Sequence, residues 1–254
     1  MKRFTKKEIN NINKLIKNGK SLRQIGNIIQ RSKSTIYYHY KKINGKKFKS
    51  ISLENLTDCF LGEFLGLFAG DGNYFFDKKS YGYNLRFFFN INEKIYVEEL
   101  SQHFHKMFKK KPGTYFYPKK SIIILGYKSK ALHNLLVKNL NWKASQKKTY
   151  TIHLKEKYRS KEFKIGFLRG SIDSDGHLSK NKISFASTSK KLMNNIESFL
   201  IDLNFRNYKR YKYEDKRKNR VKIHLLQLNR PERKKFLNLI KPRNTVLLKR
   251  ENKI

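Results

Sequence analysis

Residues 62–72 read Gly-Glu-Phe-Leu-Gly-Leu-Phe-Ala-Gly-Asp-Gly, and residues 166–176 read Gly-Phe-Leu-Arg-Gly-Ser-Ile-Asp-Ser-Asp-Gly. In alignment, Gly62 meets Gly166, Gly66 meets Gly170 and Gly70 meets Ser174. Asp71 then meets Asp175, and Gly72 meets Gly176. Small residues at every fourth position make a smooth stripe along one side of a helix. Ordinary helix axes stay about 8–10 Å apart because side chains intervene. Two facing Gly/Ser stripes allow a closer approach, so the repeat predicts a pair of helices packed through Gly62, Gly66, Gly166 and Gly170. Both stripes end on an acid, and the packing would bring Asp71 and Asp175 together.

That convergence needs compensation. Each carboxylate sits at a helix C-terminus, where the macrodipole is already negative, and each repels the other. A divalent cation removes both problems. Hard oxygen ligands favour Mg²⁺, Ca²⁺ or Mn²⁺, and carboxylates with backbone carbonyls and waters suit Mg²⁺.

The rest of the chain says what such a site would act on. Its 254 residues hold 59 Lys and Arg against 19 Asp and Glu, a formal net charge of +40. From Leu100 to Lys155 there is no acid and there are thirteen lysines. A protein this basic implies a polyanionic partner, and nucleic acid is the usual one. Hydrophobic residues still make up 38% of the chain, enough for a core. Cys59 is the only cysteine, which excludes an intramolecular disulfide and a thiolate zinc cluster. The N-terminus lacks the apolar run of a signal peptide, and the apolar stretch Phe60–Ala69 is too short to span a bilayer. The expectation is therefore an intracellular protein of the cytoplasm, nucleoid or an organellar matrix, with no membrane partner. On a basic scaffold the natural task for the paired acids is phosphodiester hydrolysis, with a metal-activated water and a stabilised 3′ leaving oxygen.

Residues 1–45 carry twelve Lys and Arg and one acid, Glu8. Helical spacing predicts Lys6–Lys17, a second helix capped by Ser21, and a third over Lys33–Lys42. A helix, a tight turn and a basic, hydroxyl-rich helix form the pattern of a helix-turn-helix. It resembles the resolvase-type domain. That resemblance turns Ser34, Thr35, Tyr38 and Lys41 to the major groove and lets Lys33 and Tyr37 reach phosphates. Residues 46–52 read as a basic linker.

From residue 53 the pattern alternates. A helix is expected over Leu53–Gly70, strands near Tyr74 and over Tyr83–Asn90, and a helix over Glu93–Phe108. Strands near Thr114–Tyr117 and Ser121–Leu125 and a helix over Ser129–Asn139 complete a set. The order recurs as helix Lys161–Ser174, strand Lys182–Ser187, helix Ser189–Leu203, strands Asn207–Tyr213 and Val221–Leu228, and helix Pro231–Ile240. The expected fold is α+β, a pseudo-twofold αββαββα repeat with halves at 53–150 and 151–254, after a small all-α domain.

The segments Phe64–Gly72 and Leu168–Gly176 resemble the two signature motifs of the LAGLIDADG homing endonucleases, in the monomeric two-motif form, over about residues 53–250. The resemblance implies two half-domains whose antiparallel sheets make a saddle over the DNA major groove. It implies a monomer that cuts both strands of specific double-stranded DNA, often intron-encoded, with Mg²⁺ as cofactor and Mn²⁺ able to substitute. It assigns catalysis and metal binding to Asp71 and Asp175, assisted by the carbonyls of Gly70 and Ser174. The sixth position of the first motif is Ala69 where the signature has Asp; the second motif keeps Asp173. Family members also place a Lys or Gln near the scissile phosphates, for which Lys143, Lys147, Lys241 and Asn90 are the candidates. Sheet residues expected to face DNA are Asn84, Arg86 and Asn90; Lys182, Ser184 and Thr188; Arg206, Tyr208, Arg210 and Lys212; and Arg220, Lys222 and His224. Arg pairs with guanine, Asn with adenine, and Lys mainly with phosphate. The run 214–220 reads as a hairpin loop along the backbone. Two other functions stay open on this fold: a non-catalytic DNA-binding regulator and an RNA-splicing maturase bound to structured RNA. No intein splicing signature is visible.

Overall fold

The computed structural model describes residues 4–44, 50–78, 82–143, 147–155, 159–215 and 221–244. Residues 1–50 and 51–254 are separate compact units. In the first, α1 (Lys6–Lys17), α2 (Leu22–Ile29) and α3 (Lys33–Asn44) enclose Ile12, Leu22, Ile25 and Ile36. Thr5 and Ser21 open α1 and α2 with reciprocal capping boxes to Glu8 and Gln24. Those boxes satisfy backbone N–H groups that a helix start leaves unpaired.

The second unit runs α4 (Asp58–Gly70), β1 (Gly72–Asp77), β2 (Gly82–Asn90), α5 (Lys94–Phe108), β3 (Gly113–Tyr117), β4 (Ile122–Lys128) and α6 (Lys130–Asn139). A short connection holds β5 (Leu140–Asn141), α7 (Lys148–Thr151) and β6 (His153–Leu154). The pattern then repeats as α8 (Lys161–Asp175), β7 (His177–Leu178), β8 (Ile183–Ser187), α9 (Lys190–Asp202), β9 (Tyr208–Asp215), β10 (Val221–Leu228) and α10 (Arg230–Ile240). The two four-stranded antiparallel sheets have the same order, β1-β2-β4-β3 and β7-β8-β10-β9. The αββαββα repeat is therefore present twice. The connection through β5, α7 and β6 was not legible as regular structure.

The strand expected over Ser121–Leu125 runs on to Lys128, and one helix start moves further. The helix read from Leu53 begins at Asp58, because Asn55 takes a left-handed conformation (φ 63°) and Thr57 caps by accepting from the Phe60 N–H.

Each motif helix uses two opposite sides. Residues two apart on a helix point about 200° apart, so the Gly62, Gly66, Gly70 series opposes Phe60, Phe64 and Phe68. The phenylalanines pack into their own half. Phe64 meets Phe104 and Phe108 of α5 at 5.6 and 5.1 Å between centroids. Phe163 and Phe167 of α8 meet Phe199 of α9 in the same edge-on way. The glycine sides face each other. A Cβ on Gly62 or Gly66 would overlap the carbonyls of Phe163 or Phe167, and one on Gly166 or Gly170 those of Cys59 or Glu63. Backbone lies on backbone with no room for a methyl group. Ser160 ties the helix starts by donating to Asp58 Oδ2 at 2.6 Å while capping α8.

Replacing Gly66 by Val should therefore destabilise the unit by about 3 kcal/mol or more, through overpacking against main chain that cannot yield. Urea unfolding should show a large fall in midpoint. Gly126→Ala is the control: its Cβ would meet the Leu85 carbonyl at an ordinary 3.5 Å, and its midpoint should barely move.

Candidate metal centre and nucleic-acid interface

The stripe delivers the acids as expected. Gly70 faces the Ser174 side chain, and its Cβ position lies 3.0 Å from Asp175 Oδ2. Asp71 caps α4 and is half-buried. Its carboxyl is pushed up to about 8, first by burial, then by the charges of Asp175 and Glu93, with Lys148 opposing. Asp175 keeps an exposed surface, yet its pKa is also raised by the desolvation of the surrounding protein, against the pull of Lys148. Among the described residues no three His, Cys, Asp or Glu side chains are grouped to hold a metal ion. The donor set is thus two mutually repelling carboxylates and nearby carbonyls. That set fits a cation whose remaining ligands are water and phosphate, as Mg²⁺ prefers.

Lys148 is the group that sequence reasoning missed. Its ammonium donates to the carbonyls of Phe68, Ala69 and Gly70 at 2.5, 2.9 and 3.1 Å. It also lies over the Phe68 ring, 4.8 Å from the centroid. Burial lowers its pKa to about 8, against the pull of Asp175 and Asp71. It serves as the counter-charge at the negative end of α4 and occupies the Gly70 carbonyl expected to assist a metal. Nothing local distinguishes it from Lys143 and Lys147; only α7 carries it there. Lys147 lines a 480 Å³ groove with Asp175, Ala186, Thr188, Tyr213 and Ile223. Lys143 is exposed, its backbone N–H donating to Thr151 Oγ1. Lys241 closes α10 in a left-handed conformation and is exposed, with no contact to the acids among its hydrogen bonds. The Ser174 hydroxyl donates back to Gly170 and Ser171 carbonyls, so only its main-chain carbonyl suits the expected ligand role.

Asp173 does different work from its neighbour Asp175. It is 1% exposed and accepts the N–H groups of Arg243 and Asn244. Burial raises its pKa to about 7, those two N–H bonds notwithstanding. Asn244 Nδ2 donates to Glu93 Oε1 at 2.6 Å and to the Asp173 carbonyl, and Arg243 pairs with the buried Glu63. Asp173 thus anchors the segment after α10. Ala69, its counterpart, is simply buried.

The register of the first sheet supports the face expected for Asn84, Arg86 and Asn90. They alternate with buried Leu85, Phe87 and Phe89. Arg86 is exposed and stacks on Phe75 at 4.7 Å. Asn84 Nδ2 binds the Gly82 carbonyl, and Asn90 also caps the turn before α5.

The second sheet corrects the expected faces. Leu226 and Leu228 are buried, and their directly paired residues are Arg210 and Tyr208, while His224 pairs with Lys212. Directly paired residues share a face, so Tyr208, Arg210, Lys212, Lys222 and His224 lie on the helix side of the sheet. Arg210 confirms it by bonding Glu197 and Asn194 of α9. The open face instead carries Lys209, Tyr211 and Tyr213 with Val221, Ile223, Leu225 and Gln227. The charge alternation was real but belongs to the other face: exposed edges of the helix side are basic too. Arg206 precedes the strand and is exposed. Ser184 has the expected parity but is buried, on the central strand pairing between His177 and Gln227. Lys182 is exposed, and the Thr188 hydroxyl donates to the Thr149 carbonyl at 2.7 Å. Arg220 and most of the 214–220 run lie outside the described residues.

In the N-terminal unit, Lys33, Ser34, Tyr38 and Lys41 are exposed on α3. Thr35 is half-buried and its hydroxyl bonds Ser32 at 2.7 Å. Tyr37 is half-buried, its ring packing on the small core and stacking with Tyr40.

Solved structures that share this architecture include the homing endonuclease I-DmoI and DUF199/WhiA. Mesophilic variants of I-DmoI match with a TM-score of 0.53 at 17% identity, over 72% of this chain and 90% of that one. The chain has the LAGLIDADG fold. I-DmoI in complex with DNA and Ca matches with a TM-score of 0.53 at 15% identity, over 72% of this chain and 89% of that one. Full-length DUF199/WhiA from Thermatoga maritima shares the LAGLIDADG fold with a TM-score of 0.50 at 16% identity, over 76% of this chain and 60% of its own. Residues 162–241 match the LAGLIDADG-like domain family and residues 1–42 a helix-turn-helix domain family. No curated protein sequence matches the chain. No helix among the described residues is long and apolar enough to cross a membrane.

The raised pKa of Asp71 fixes a sign. Its folded value lies above its unfolded value of 3.8, so the stability of the metal-free protein is full below that value and is lost as pH rises toward about 8. Asp71→Asn removes the liability. In chelating buffer its melting temperature should match wild type only below the unfolded value of 3.8 and exceed it by a gap that grows steadily as pH rises toward about 8.

Proposed function

We propose that the chain is a site-specific, divalent-metal-dependent double-strand DNA endonuclease. The observation that carries this reading is the convergence of Asp71 and Asp175, each held at a raised pKa, across a helix contact that admits no side chain. A DNA binder gains nothing from two carboxylates beside its binding face and loses attraction for phosphate. A bound Mg²⁺, or Mn²⁺ in its place, would neutralise the pair, activate a water and stabilise the leaving 3′ oxygen. Asp71 and Asp175 would hold it, with the Ser174 carbonyl assisting; Gly70 would assist only if Lys148 released its carbonyl. Lys148 sits within the field of both acids and suits a phosphate-facing role once DNA displaces part of its present contacts. The solved I-DmoI structures include complexes with DNA and Ca and with DNA and Mn, and that precedent supports the same partners here. Residues 1–45 would extend the footprint through α3, and the half-domains at 53–150 and 151–254 would each contact one half-site.

The test is cleavage of a randomised double-stranded library by the full chain with Mg²⁺, read by sequencing the ends. Defined breaks should appear and should vanish with chelator, with Asp71→Asn or with Asp175→Asn, while binding of the same DNA persists in both variants. Unchanged cutting by either variant would remove the assignment, and retention of a defined sequence without breaks would make the protein a regulator. Binding should fall steeply with salt, with a log–log slope of about −5 or steeper if six or more phosphates are neutralised.

A further inference from the structure

The open face of each sheet carries apolar rows in matching places. In the first sheet Tyr115, Ile124 and Phe88 are directly paired across β3, β4 and β2. In the second, Tyr211, Leu225 and Ala186 are paired across β9, β10 and β8, the same positions in the same strand order. One pleat further along, Tyr117 pairs with Ile122 and Tyr213 with Ile223. The tyrosines repeat 96 residues apart in both rows, and the aliphatic residues 101 apart in both. A lysine-rich composition does not generate such a repeat.

The rows start at the acids. The Phe88 N–H donates to the Asp71 carbonyl, and Ala186 lines a small crevice with Asp175. The four tyrosines are between 42% and 56% exposed, and the aliphatic side chains between them are half-buried. Exposed cations flank the rows, among them Arg86, Lys182 and Lys209. A net charge of +40 opposes covering this face with a second copy of the chain and favours a polyanion.

We infer that these paired rows read the C5-methyl groups of thymine, so that the duplex bound here is rich in A·T pairs on both sides of the phosphates nearest Asp71 and Asp175. The inference rests on the duplex-DNA reading above. In the major groove the thymine methyl is the one apolar group a base edge presents, and it is matched by apolar side chains. Aliphatic residues at the centre of each row suit a methyl better than the flat face of an unpaired base, which calls for aromatic platforms.

The experiment selects duplexes bound by the full chain from a randomised library in Ca²⁺, then compares each selected thymine with deoxyuridine, which lacks only the methyl. The enriched sequences should carry A·T pairs at the central positions of both half-sites. Each contacted methyl replaced by hydrogen should weaken binding about four-fold. Ile124→Ser should erase the thymine–deoxyuridine difference in one half-site and Leu225→Ser in the other. The readout is each variant's thymine-to-deoxyuridine affinity ratio, and a wild-type circular-dichroism spectrum with a cooperative melting transition shows that each variant has folded. A library that converges on G·C centres, or affinities indifferent to deoxyuridine, would overturn the inference and leave the endonuclease reading standing. A library that does not converge at all would remove both.

Discussion

The contact of α4 with α8 is the constraint from which the rest of the unit follows. It is made by main chain against main chain, through Gly62, Gly66, Gly166 and Gly170. Because it consumes one side of each helix, the opposite side must supply the hydrophobic core. The phenylalanines at 60, 64 and 68, and at 163 and 167, do so. Each motif helix is therefore buried all round, unlike the amphipathic helices α5 and α9 that cover the outer layer. The two sheets are then fixed relative to a common axis, and matching strand orders follow from matching halves.

The same closeness creates the electrostatic problem at the helix ends. Asp71 and Asp175 meet where two dipoles terminate and solvent is limited, and burial outranks their mutual repulsion as the cause of the raised pKa of Asp71. The fold thus strains the doubly ionised form of this pair. Lys148 relieves part of that strain, but its own pKa falls to about 8 because burial costs it more than the acids return. A mobile divalent ion would supply the remaining compensation without a buried side chain.

The repeat, its acids and the order of elements were legible because they are written in local spacing: glycine every fourth residue, capping residues, and alternation in the strands. What was not legible depended on register. The sequence 206–213 puts both charged and aromatic residues on each parity, so either face could have been the buried one. Only the pairing of Arg210 with Leu226, and its bonds to Glu197 and Asn194, decide it. A strand at a sheet edge has no strongly apolar side to declare its orientation, so a one-residue ambiguity inverts the whole functional face. Lys148 escaped for another reason: three lysines within six residues are equivalent until a four-residue helix carries one of them across to α4.

The two halves answer one structural demand in opposite ways. After α10 the chain passes the end of α8, and Asp173 accepts its Arg243 and Asn244 N–H groups. After α6 the chain passes the end of α4, where Ala69 offers no carboxylate, and the ammonium of Lys148 binds the carbonyls of residues 68–70 instead. An acid capturing N–H groups in one half is replaced by a base capturing carbonyls in the other. The departure of the first motif from its signature at Ala69 thus falls on the same turn that Lys148 binds through main-chain carbonyls. The pseudo-symmetry of the backbone therefore carries an asymmetric charge distribution, with one fixed ammonium on the α4 carbonyls, coupled more strongly to Asp175 than to Asp71.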